Sequence, residues 1–150
     1  MKKIKNYNVS KDTLALLPIG KKKTIVYESH DCYMIEEKAT KLMESSCRLN
    51  GSTIQGRAKG TEVLTGYSYK APIMVKEEEN LIFFPTCSPR LKECAWINST
   101  NISSIHKKND KCVVEFLNNE VLELDVSYNI INNQLSKSLL LEKKFKKRDK

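Results

Sequence analysis

Between Cys112 and Val126 the side chains alternate in polarity. Glu115 separates Val114 from Phe116, and Glu123 and Asp125 separate Leu122, Leu124 and Val126. A period of two puts successive side chains on opposite faces of a strand, so this segment reads as a hairpin with one buried and one wet face. Asn118-Asn119 between the two runs suits a two-residue turn, because Asn accepts left-handed backbone. No other stretch restricts the fold so tightly, since only a sheet covered on one side satisfies it.

The rest of the chain supplies strands and helices around that hairpin. Thr24–Tyr27 and Cys32–Ile35 flank the polar stretch 28–31 and predict a second hairpin, preceded by the apolar run Leu14–Ile19. Further β-prone runs are Pro72–Val75 and Leu81–Phe84 around an acidic turn, then Ala95–Ile97 and Ile102–Ile105. Ala39, Leu42, Met43 and Cys47 recur at helical spacing and predict a helix over 39–49, stopped by Asn50-Gly51. Ser52 can cap a second, short helix over 53–64. Gly56 and Gly60 each cost that helix roughly 1 kcal/mol relative to Ala, so a loop is the alternative. Glycines four apart on a helix would leave a smooth groove for close backbone approach. Ser127 caps a C-terminal helix from Tyr128 to about Lys144, with Ile131, Leu135 and Leu139 as its apolar stripe and Leu141 and Phe145 beside it.

The expected fold is α+β: an antiparallel, β-rich body with a central helical segment and a packed C-terminal helix. At 150 residues one domain is expected, with basic, frayed ends at 1–12 and 146–150.

Charge narrows the function. Residues 1–23 hold seven Lys and one Asp, and residues 137–150 hold seven Lys or Arg and two acids. The middle of the chain is net acidic, yet within 47–76 Arg48, Arg57, Lys59, Lys70 and Lys76 face only Glu62. Such polarity favours a nucleic acid or another anionic surface over a small neutral substrate. No apolar run approaches the ~20 residues that span a bilayer, and the basic N-terminus lacks a signal-peptide core, so a cytoplasmic protein is expected.

Several chemistries find no support. The five cysteines include no CxxC pair, so buried reduced thiols are expected rather than a metal site. Gly56-Arg57-Ala58-Lys59-Gly60-Thr61 mimics a phosphate-binding loop in composition but lacks the G-x-x-x-x-G-K-[ST] string. His30-Asp31-Cys32 puts reactive types side by side, but on a strand Asp31 would point away from the other two. No catalytic residue and no cofactor is assigned, and Trp96, between Ala95 and Ile97, reads as core.

The segment Ser46–Thr61 carries the strongest functional signal. Three of the five glycines fall in it, interleaved with Arg48, Arg57 and Lys59. Glycines permit close backbone approach, and arginines present forked donors to phosphates or base edges. From the residues alone, a structural turn with incidental charge stands beside a polyanion-binding surface. The loop Pro85-Thr86-Cys87-Ser88-Pro89-Arg90 adds two hydroxyls and a cation that can reach a phosphate backbone.

These residues carry a resemblance. Glu44-Ser45-Ser46-Cys47-Arg48-Leu49-Asn50-Gly51-Ser52, followed by Gly56–Thr61, resembles the signature of the ComK family of bacterial competence transcription factors. The likeness continues through Lys70–Val75, Phe83–Thr86, Cys94–Ile97, Val126–Asn129 and Asn133-Gln134. It spans roughly residues 14–145, and several separated motifs in order make it specific. The resemblance implies a DNA-binding activator of natural-transformation genes that recognises paired A/T-rich boxes through the minor groove. It also implies a homo-oligomer, contact with the RNA polymerase machinery, and control by an adaptor that delivers the protein to a protease. Family members usually extend past the C-terminal helix, whereas this sequence ends at Lys150; that bears on oligomerisation or contact with the transcription machinery more than on DNA binding.

The first candidates for DNA contact are Arg48, Arg57 and Lys59. Lys70 and Arg90 come second, and Ser52 and Thr86 can donate to phosphates. The alternative is a basic protein-interaction or membrane-surface module without DNA specificity. A cysteine- or metal-dependent enzyme is a third class, which bound zinc would revive.

Overall fold

The structure is a computed structural model that describes residues 1–148. A seven-stranded sheet has the order β1-β4-β3-β2-β7-β6-β5, formed by β1 (Lys2–Ile4), β2 (Thr13–Ile19), β3 (Lys23–Glu28), β4 (Cys32–Ile35), β5 (Ile73–Lys76), β6 (Leu81–Pro85) and β7 (Trp96–Asn98). A three-stranded sheet follows, β10-β9-β8, from β8 (Ile102–Lys108), β9 (Lys111–Phe116) and β10 (Val121–Leu124). Helices α1 (Ala39–Leu49) and α2 (Ile54–Thr65) join β4 to β5, and α3 (Tyr128–Arg148) follows β10. Every pairing is antiparallel among the described residues except β1 with β4. The fold is α+β, as the two periodicities predict.

The central strands are apolar on both faces because both are covered. Leu16, Val26, Phe83 and Trp96 pack toward Leu42, Met43 and Cys47 of α1. From the opposite face, Ala15, Phe84 and Ile97 meet Val114 and Phe116 of the small sheet and Ile131 of α3. Trp96 is fully buried, and its indole N–H donates to the Thr40 hydroxyl at 3.1 Å. All five cysteines are free, and Cys47, Cys94 and Cys112 are buried. Burial pushes the Cys47 thiol up to about 11 and the Cys94 thiol up to about 12.

Helix α1 has the predicted boundaries. Ala39, Leu42, Met43, Ser46 and Cys47 form its buried face, and Gly51, at φ 80°, ends it. Helix α2 forms despite its glycines, but the expected cap is displaced by one residue. Thr53, in extended backbone, accepts the Gly56 N–H at 2.9 Å, while the Ser52 hydroxyl turns to the Thr53 carbonyl.

Three other expectations are corrected. The turn after β9 has three residues, 117–119: Phe116 N–H donates to Glu120 C=O and Asn119 N–H to Phe116 C=O. Asn119, at φ 72°, takes the left-handed position that follows a type I turn in such loops. The buried stripe of α3 is Ile131, Gln134, Ser138, Leu141 and Phe145, while Leu139 is 58% exposed. Gln134 replaces the expected leucine because its amide Nε2 donates to Lys70 C=O at 2.9 Å and Pro85 C=O at 2.7 Å.

Residues 1–12, expected as a frayed end, are docked. β1 pairs with β4, Val9 N–H donates to Ser46 Oγ, and the Tyr7 hydroxyl bonds Glu28 and Thr13. At the other end α3 runs to Arg148, so 146–148 are helical; the remainder of the expected frayed end, Asp149 and Lys150, lies outside the described residues.

Candidate nucleic-acid interface

The turn between β2 and β3, the start of α1, the α1–α2 junction and the loop between β6 and β7 enclose a cleft of about 630 Å³. Gly20, at φ 62°, makes the first turn and brings up Lys21 and Lys23. Lys38 and Lys41 come from the start of α1, Arg48 from its last turn, and Arg90 and Lys92 from the β6–β7 loop. All seven cations are exposed. Glu44 is the one carboxylate among the described lining residues.

Glu44 is already engaged. One oxygen accepts Arg48 Nε at 3.0 Å, and the other accepts the Ile54 N–H at 2.7 Å, which pins the α1–α2 junction. The cleft therefore presents a large positive excess. Its apolar lining comes from Pro18, Ala39, Ile54, Pro89, Leu91 and Cys94. At the entrance to α1, Lys38 provides no side-chain cap, and the first turn carries no acid. Glu37, just before it, accepts the Lys38 N–H at 2.9 Å. Among the described residues no side chain thus caps the N–H groups of the first turn itself, and the helix dipole adds to the positive field there.

The candidates of the sequence reading are divided by this geometry. Arg48 and Arg90 share the cleft. Lys59 projects from α2, its side chain 74% exposed, with Glu62 at 3.4 Å. Lys70 stands at a left-handed position, φ 49°, with its ammonium 5.3 Å from the Tyr69 ring centre. Arg57 turns toward the acidic turn after β5: Nη1 meets Glu77 Oε1 at 3.1 Å, and its side chain is only 18% exposed. The same Glu77 accepts Arg148 from α3 at 2.7 Å. Hydrogen bonds from Arg148 and then Arg57 hold the Glu77 carboxyl below its ordinary range.

Ser52 is half-buried against its own turn. Thr86 is 3% exposed, and its hydroxyl accepts the Ala95 N–H at 3.0 Å. Arg57 and Thr86 thus hold internal contacts rather than facing solvent. Lys21, Lys23, Lys38, Lys41 and Lys92 were missed as site residues. The only trace of them in the sequence is the basic turn after Gly20, since the others join the cleft through folding.

The fold and this surface define a basic α+β protein with a cation-lined cleft. The ComK protein family's model matches residues 4–150, and the chain belongs to that family. Over 149 residues it is 32% identical to the competence transcription factor of Bacillus subtilis (strain 168), an alignment that covers 97% of this chain and 78% of that protein. No solved structure matches the chain. Among the described residues, no helix is long and apolar enough to cross a membrane, and no three His, Cys, Asp or Glu side chains gather where a metal ion would sit.

Proposed function

We propose that this chain is a DNA-binding transcription activator of competence genes that recognises A/T-rich boxes through the minor groove. The observation that carries the reading is the cleft rim, where seven cations face one carboxylate on a member of the ComK family. Phosphates along a duplex supply the complementary charge. A/T tracts narrow the minor groove and deepen its negative potential, which attracts inserted Arg or Lys side chains. Arg48, Lys59, Lys70 and Arg90 are the contacts this reading favours, with Gly60, where the surface of α2 is open, as a low-profile element. Arg57 supports α2 through Glu77, and Ser52 and Thr86 support the turns that carry the cations. Self-association, the polymerase machinery and an adaptor-delivered protease are the partners that accompany the reading.

A mobility-shift titration with A/T-box and scrambled duplexes tests it. The A/T-box duplex should bind tighter, and a minor-groove dye should displace the protein. The slope of log K against log salt should be about −0.9 per phosphate neutralised, and Arg48→Ala or Arg90→Ala should each reduce it by about one. Equal binding to both duplexes with a flat salt dependence would overturn the assignment. Binding to anionic vesicles but not to duplex would favour a membrane-surface module instead.

A further inference from the structure

The apolar wall of the cleft is not explained by a duplex. Bases in a duplex are stacked inside it, and the backbone that meets the rim is polar. Pro18, Ile54, Pro89 and Leu91 nonetheless line a concavity of about 630 Å³, within the roughly 300–1,000 Å³ of small-molecule sites. Apolar side chains and seven cations lining one cavity fit a ligand with a flat, weakly polar body and several negative charges. The start of α1 reinforces this, because a helix N-terminus with no capping side chain and no acid in its first turn offers N–H donors to phosphate.

We propose that this cleft binds a nucleoside polyphosphate, with the base against the apolar wall and the phosphates among Lys38, Lys41, Arg90 and the first turn of α1. The occupied cleft has its rim charge neutralised, so the nucleotide competes with DNA; this second clause rests on the DNA-binding reading above. The ligand is then a negative effector, and the coupling is reciprocal: DNA weakens nucleotide binding by the same factor. A carboxylate-rich peptide would meet the cations but would not fill the wall.

The chain reports on its own cleft. Trp96 is the single tryptophan, and its indole N–H is bonded to Thr40, which lines the cavity. Titration of the full chain with ATP should change Trp96 emission saturably. Inorganic tripolyphosphate should bind about tenfold weaker or worse, since it leaves the apolar wall empty. Lys41→Glu and Arg90→Glu, both at exposed positions, should each weaken ATP by about tenfold or more, with thermal unfolding unchanged. ATP should also release a bound A/T-box duplex.

Absence of a saturable ATP response, with the duplex still bound, overturns the inference and leaves the DNA reading intact. Equal affinity for ATP and tripolyphosphate overturns the place given to the base, and a polyglutamate peptide that matches ATP overturns the ligand class. Saturable ATP binding by a chain that binds no duplex upholds the nucleotide site and sinks the DNA reading instead.

Discussion

Gln134 is 1% exposed in the middle of α3, and its amide ties two separate segments to that helix. One of its acceptors, Lys70, is a non-glycine residue with left-handed backbone, so this bond helps hold a conformation that is sparsely populated on its own. Gln134→Ala would leave the Pro85 carbonyl unpaired in a buried position and the Lys70 carbonyl unpaired in a partly buried one. The expected loss is about 2–4 kcal/mol in urea unfolding, at the scale of one or two buried acceptors left unpaired. Gln134→Leu restores the volume but not the bonds and should recover only part of it. This residue also marks where the sequence misleads. A stripe drawn through Ile131, Leu135 and Leu139 follows hydropathy alone, yet Gln134 and Ser138 take the buried face because the Gln134 Nε2 and the Ser138 hydroxyl are bonded there. Hydropathy cannot register a partner 64 residues away in the chain.

Among the helices, α1 was the most legible and α2 the least, for one reason. Helix α1 buries five residues on one face between clear stops, so periodicity and termini agree. Helix α2 buries only Thr61 and carries two glycines, so it owes its form to the Thr53 cap and to its neighbours rather than to an apolar face. Gly60 has no positive φ, and a Cβ built there meets nothing within 4 Å. Gly60→Ala should therefore stabilise the protein by about 0.5–1 kcal/mol through helix propensity and unfolded-state entropy. If the smooth face of α2 approaches DNA, the same change should weaken A/T-box binding even as the thermal midpoint rises. A midpoint gain without any loss of binding would remove that face from the interface. The sheets were legible in pieces. Hairpins announce themselves locally, whereas the parallel pairing of β1 with β4 joins a three-residue strand to a distant partner and leaves no local pattern.

For the whole molecule, Glu77 links α2 to the C-terminal helix, since it accepts both Arg57 and Arg148. Its carboxyl is held below the ordinary range, so the linkage has a definite sign. The stabilisation is fully present above the unfolded carboxylate value and is lost as pH falls through the lowered folded value. Protection of the amides in residues 141–148, measured against their intrinsic exchange rates, should therefore fall in acid, and Glu77→Gln should lower that protection at neutral pH and flatten its pH dependence. The cleft itself was only partly legible. Arg48 and Arg90 stood out within their motifs, but five of the seven rim cations reach the site from segments whose convergence only the assembled sheet determines. At the sheet margin, β1 carries Lys2 and Lys3. Charged side chains on an outermost strand discourage another chain from adding to it. Removal of residues 1–4 would expose the unpaired backbone of Cys32–Ile35, so this short lysine-bearing strand serves as a guard against filament-like stacking of one molecule on the next.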